Sequence, residues 1–211
     1  MLLWTIQPKT VYDQLKDNGH VHCDGRKSTT LLRFDESGQE NKFRKSYKWM
    51  SGKMQERGIP IKSYPIWAWY KYPGAKKGSR KISLPRAKWE ADLHVESCRI
   101  EFDAPDNLVL LSDFELWHSV LNEWVASDDF AEIDMIDELE KSGIDIRHIV
   151  EKTWERIFLV DKENCKSLYH GEQIAIQACV PYLKIDWVRN VDHFLVTERT
   201  SAYKRIYGVS K

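Results

Sequence analysis

Apolar positions recur along this chain at two spacings, and the spacings sort it into strands and helices. Residues 2–6 are a short apolar run, the mark of a buried strand. Pro8 suits the first turn of a helix, Val11 and Leu15 fall four apart on it, and Gly19 fits its C′ position. Residues 20–23 read as a second short strand. Residues 24–41, polar with Gly25 and Gly38, read as a loop. Phe43, Tyr47, Met50 and Met54 keep the spacing of a buried helix face, and Gly58 and Pro60 close that helix. Residues 64–72 form an aromatic strand bracketed by Pro65 and Pro73, which suggests a sheet edge. Residues 73–85 read as an exposed basic loop.

The second half continues in the same way. Residues 93–102 and 108–111 read as strands, and Ser112 with Glu115 three residues on predicts a capping box. The helix it opens carries Phe114, Trp117, Leu121 and Trp124 on one face. Residues 130–139 form an acidic helix ended by Gly143, and Ile146, Ile149, Val150, Trp154 and Ile157 mark another. Residues 174–180 and 188–196 are late strands joined by a short turn or helix. Strands at both ends with helices between predict an α+β fold: a mixed sheet flanked by helices, in a single domain over residues 1–211.

Charge changes this picture. The chain of 211 residues has 32 basic and 32 acidic side chains, yet they are segregated. Residues 42–88 hold fourteen Lys and Arg against one acid, Glu56. Residues 89–145 hold seventeen acids against Arg99 and Lys141. The basic half, about 42–88, is also rich in aromatic rings, a combination that suits phosphates and stacked bases. The acidic helical part, about 112–159, follows it. The two blocks either fold against each other and neutralise or serve separate contacts. The four cysteines form no C-x-x-C pair and fit no zinc spacing. The N-terminus has no signal-peptide pattern, and no apolar stretch is long enough to span a bilayer. The expectation is a cytoplasmic protein with reduced thiols and no membrane contact.

Candidate chemistry is sparse. Walker, dinucleotide-fingerprint, zincin and nucleophile-elbow motifs are all lacking. His20 and His22 share one strand face but find no third ligand nearby, so they read as surface histidines and no metal is expected. Trp67 and Trp69 also share a face, as half of a core or as the floor of a ligand site. Gln177 and Cys179 oppose Ile176 and Val180 on the late strand. The lone amide either meets a ligand or satisfies a loop. Lys71, Lys76, Lys77, Arg80 and Lys81 form a cationic group suited to nucleic-acid phosphates.

Five stretches carry a likeness: LLWTIQP, YKWMSGKM with Arg57, YPIWAW, LLSDFELWH with VLN, and IAIQACVPYLKIDWV. Together they resemble an uncharacterised bacterial family, the domain of unknown function 3841, which implies no activity. The order of elements is also similar to the DarT-like DNA ADP-ribosyltransferases. That likeness implies an NAD ribose held from the first strand, at Thr5; Gln7, Trp67 and Trp69 are further candidates for cofactor binding. It also implies a catalytic pair at Arg57 and Gln177. Gln177 stands where that family has a glutamate, and a neutral amide cannot stabilise a developing oxocarbenium ion by charge. Glu172 is the nearby carboxylate that could substitute. The functional expectation is a protein that interacts with NAD, a nucleotide or nucleic acid, akin to an ADP-ribosyltransferase. The alternative is a non-enzymatic module that binds protein or nucleic acid through segregated charge.

Overall fold

The computed structural model describes residues 1–28, 42–72, 81–127, 129–160, 175–201 and 203. In chain order its elements are β1 (Leu2–Pro8), α1 (Lys9–Asn18), β2 (His20–Val21), α2 (Lys42–Glu56), β3 (Ile66–Lys71), α3 (Leu84–Glu90), β4 (Ser97–Asp103) and β5 (Leu110–Asp113). Then come α4 (Phe114–Leu121), α5 (Phe130–Lys141), α6 (Arg147–Thr153), a 3-10 turn (Trp154–Phe158), β6 (Ile176–Val180), β7 (Leu183–Lys184), a second 3-10 turn (Ile185–Trp187) and β8 (Val188–Phe194). The fold is α+β.

Six strands form one sheet in the order β5-β6-β3-β1-β4-β8, and β2 pairs with β7 in a separate ribbon. Every strand pair is antiparallel, where a mixed sheet was expected. Period-two alternation reads the same in either strand direction, so the sequence pattern carries no sign of direction. The expected edge strand is also corrected. β3 lies inside the sheet, between β6 and β1. Pro65 precedes its first residue, where a missing N–H costs the ladder nothing.

Alternation gives the sheet two faces. Leu3, Ile66, Ala68, Cys98, Ile100, Phe102, Ala178 and Val180 form one core with Leu15 of α1 and Leu183 of β7. The other face divides. Cys179 and Leu110 pack beneath Met50 and Met54 of α2, Trp117 and Val120 of α4, and Val150, Trp154 and Ile157. Trp4 and Trp69 pack with Tyr72, Ile82 and Ala87, the last from α3. The expected α2 stripe therefore lies where its spacing put it. Helix α3 has no counterpart in the sequence pattern, because its seven residues, LPRAKWE, are too few to show a period.

Two local readings change. The cap of α4 is Asp113, not Ser112: its carboxylate accepts from the Glu115 and Leu116 N–H groups at 2.8 and 3.0 Å. Strand β5 runs through Asp113, and Ser112 stays in the ladder opposite Gln177. Trp124 lies beyond α4 and is 64% exposed, whereas Trp117 and Trp154 are buried. The Trp154 indole N–H donates to the Trp124 carbonyl at 2.8 Å, so only the backbone of Trp124 serves the core.

Two outcomes follow from this packing. Trp117→Ala or Trp154→Ala should cost ~3–5 kcal/mol of stability, whereas Trp124→Ala should change it by at most ~0.5 kcal/mol. Urea unfolding of the three variants checks the contrast. Arg156 and then Ser127 hydrogen-bond the Glu132 carboxylate and hold it down from 4.5 to about 2. A carboxyl depressed by folding adds stability above its unfolded value, and that stability is lost as pH falls through the folded value. Wild type should weaken between pH 4.5 and about 2 more steeply than Glu132→Gln, as read by melting temperature against pH.

Candidate functional site

The residues singled out from the sequence divide among three places. Gln177 pairs across the sheet with Trp69 of β3 and with Ser112 of β5. Trp67 lies one pair along, opposite Cys179. Strand alternation puts all four side chains Trp67, Trp69, Ser112 and Gln177 on one face. Trp67 packs against Trp117 with ring centres 4.8 Å apart, and Trp69 lies 4.8 Å from both Phe114 and Tyr72. Beneath these rings the Gln177 Nε2, the Ser112 Oγ and the Trp67 Nε1 are buried without a hydrogen-bond partner. Three of the expected residues, Trp67, Trp69 and Gln177, are thus brought together.

The others are elsewhere. Thr5 lies on the opposite face by the same alternation. Its hydroxyl donates to the Trp67 carbonyl at 2.8 Å and accepts from the Gln7 amide at 2.8 Å, which ties β1 to β3. Arg57 follows the C-terminus of α2. It pairs with Glu155 at 3.1 Å, donates to the Lys53 carbonyl at 3.2 Å, and lies 4.2 Å above the Phe158 ring. Thr5, Arg57 and Gln177 do not converge. Lys71 ends β3, and Lys81 pairs with Glu101 at 3.0 Å. Lys76, Lys77, Arg80 and Glu172 lie outside the described residues.

The charge blocks meet in part. Lys45 reaches Glu123 and Glu151 at 3.3 and 3.5 Å, and Lys53 reaches Glu155 at 2.6 Å. Helix α2 therefore spends several of its cations on neighbouring helices. Among the described residues no cluster of three or more His, Cys, Asp or Glu could hold a metal ion, and no helix is long and apolar enough to cross a membrane.

A cleft of about 400 Å³ opens away from these residues. Gly19, at φ 73°, ends α1 in the left-handed conformation and turns the chain into β2. His20 then pairs with Lys184 and Val21 with Leu183. The Ile185 N–H donates to the Gly19 carbonyl at 2.9 Å, and Leu183 is fully buried, so the ribbon is fastened to the body. Across from it the chain leaves α2 through Gly58, at φ 76°, into Pro60, Ile61 and Lys62. The lining is His20, His22, Pro60, Ile61, Lys62, Tyr182 and Lys184. His22 Nδ1 lies 3.3 Å from the Pro181 carbonyl, which leaves its Nε2 for the cleft. Among the described residues no carboxylate lines it. Neither lysine has a carboxylate partner among the described residues. Cys23 follows His22, but burial and then Asp24 push its thiol up to about 11, so it is no thiolate nucleophile at neutral pH.

The family model for a domain of unknown function, DUF3841, matches residues 2–189. The chain belongs to the DUF3841 family. No curated protein and no solved structure matches it. The match takes in the sheet up to the first two residues of β8, and both walls of the cleft.

Sequence reasoning missed this cleft in the DUF3841 chain. The histidines were noted, but Lys62, Tyr182 and Lys184 were not connected to them. The one available signal was Tyr182-Leu-Lys184 directly after the late strand, a ring and a cation on one strand face.

The orphan polar atoms give a test. A buried amide without a partner costs ~1–3 kcal/mol. Gln177→Leu should therefore keep the fold and raise stability by about 1 kcal/mol in urea unfolding. A clear loss of stability would show that the amide is bonded in solution.

Proposed function

We propose that this chain is a binding protein for phosphate-bearing ligands with a flat base, nucleotides or nucleic acid, and that the cleft between the β2–β7 ribbon and residues 60–62 is where it holds them. The observation that carries this reading is the composition of the wall: every ionisable side chain there besides Tyr182 is a nitrogen base, in a chain of zero net charge. Uncompensated cations around a concave surface concentrate anions. Pro60, Ile61 and Tyr182 supply apolar surface for the base, and Lys62, Lys184 and the histidines meet the phosphate.

NAD contains the same two chemical parts, so it falls within this ligand class. Ribosyl transfer is not part of the proposal. Thr5, Arg57 and Gln177, on which that reading rests, occupy separate places. A neutral Gln177 also offers no charge to an oxocarbenium ion.

Titration with adenosine and uridine monophosphate, followed by tryptophan fluorescence, tests the reading. Wild type should bind at least one of them. The double variant Lys62→Glu with Lys184→Glu should bind about tenfold or more weaker, a loss of ~1.4 kcal/mol or greater. Added salt should weaken wild-type binding. Absence of binding at ~1 mM nucleotide, or an unchanged double variant, overturns the proposal.

A further inference from the structure

The rings do not stop at the wall of the cleft. His20 and His22 lie 5.4 Å apart between ring centres, His22 and Tyr182 lie 5.4 Å apart, and Tyr182 and Trp187 lie 5.2 Å apart. The first two contacts are edge-to-face and the last is stacked, at 27° between planes. This is an unbroken ladder of four aromatic rings drawn from β2 and the residue after it, the link after β6 and the second 3-10 turn. Its last ring, Trp187, lies outside the lining of the cleft.

From this ladder, and resting on the cleft reading above, we propose that the ligand is single-stranded nucleic acid rather than a lone nucleotide. One base needs one ring face. Bases along a strand follow one another at ~3.4 Å when stacked, so a ladder of three steps near 5 Å serves more than one base. The cations suit the same reading. Lys184 lies directly across the ribbon from His20, and Lys62 stands on the facing wall. Phosphates of a strand laid on the rings therefore meet a cation from either side. Asp186, exposed between Lys184 and Trp187, is the carboxylate nearest in the chain, and it limits how close a phosphate comes to Trp187. The ladder is held in advance of binding. Trp187 and Tyr182 are half-buried, Trp187 packs on the core beneath β1 and β6, and the ribbon is fastened at Gly19. Duplex bases face each other inside the helix and present no face to such rings.

Length series separate the two readings. Oligothymidylates of one to eight nucleotides, and a blunt duplex hairpin of matched length, would be titrated against the full chain by fluorescence anisotropy. Affinity should rise with each nucleotide up to about four, one for each ring, and then level off. The dependence on salt should steepen by ~0.7 in log–log slope for each phosphate engaged. The hairpin should bind about tenfold weaker than the single strand. Trp187→Leu retains apolar packing and removes the ring. It should remove the gain contributed by the last of these nucleotides while uridine monophosphate binds as in wild type. Trp187→Met, which also removes the ring and lies outside the lining of the cleft, provides the same reading should Trp187→Leu fail to fold. Equal affinity for monomer and oligomer, equal affinity for the hairpin, or an oligomer series indifferent to both variants overturns the single-strand inference and leaves the cleft reading standing. Failure of every nucleotide to bind overturns both.

Discussion

Strand β6 is the constraint on which the rest of this structure depends. Its five residues are buried on both faces, and it hydrogen-bonds to β3 on one side and to β5 on the other. One of its faces sends Cys179 into the helical core, and the other sends Ala178 and Val180 into the core below. Small residues make this possible, because layers can close on both sides only where the strand is thin. The register of this pairing has effects at both ends. It sets Gln177 between Trp69 and Ser112, and it releases the chain at Pro181, where Tyr182 and Lys184 enter the ribbon with His20.

The elements of the fold were mostly legible because their signals are local. Met50 and Met54 announced α2, Gly19 ended α1, and the aromatic run announced β3. What could not be read was pairing at long range. His20 and Lys184 are neighbours only because two strands far apart in sequence meet in a ribbon of two pairs, too short to show any period. The cap of α4 failed for a different reason. Ser112 and Asp113 are both good caps, and the choice was made by strand β5, which keeps Ser112 in its ladder. Trp124 failed because the helical spacing was extended past the point where α4 ends.

The charge segregation tells a similar story. It reads as one feature in the sequence and becomes several in the fold. Lys45, Lys53 and Arg57 are absorbed by ion pairs between packed elements, and Lys81 by Glu101. Such exposed pairs add little stability individually, but they remove cations from the pool that could meet a ligand. Lys62 belongs to the same basic block. It is distinguished by a turn after α2 that carries it away from the acidic helices and toward the ribbon.

The two outer strands of the sheet differ in a way that bears on self-association. β5 has only four residues, and β8 has seven. An outer strand presents unpaired peptide groups that another chain could extend into a continuous sheet. Brevity protects β5. Charge protects β8, where Arg189 and Asp192 are held in place by Asp103 and Arg99 of its neighbour β4. A second molecule approaching β8 would have to displace these ion pairs or bury them unsolvated, and either is costly. The ion pairs of β8 thus weigh against its outer edge as a template for a strand of another chain.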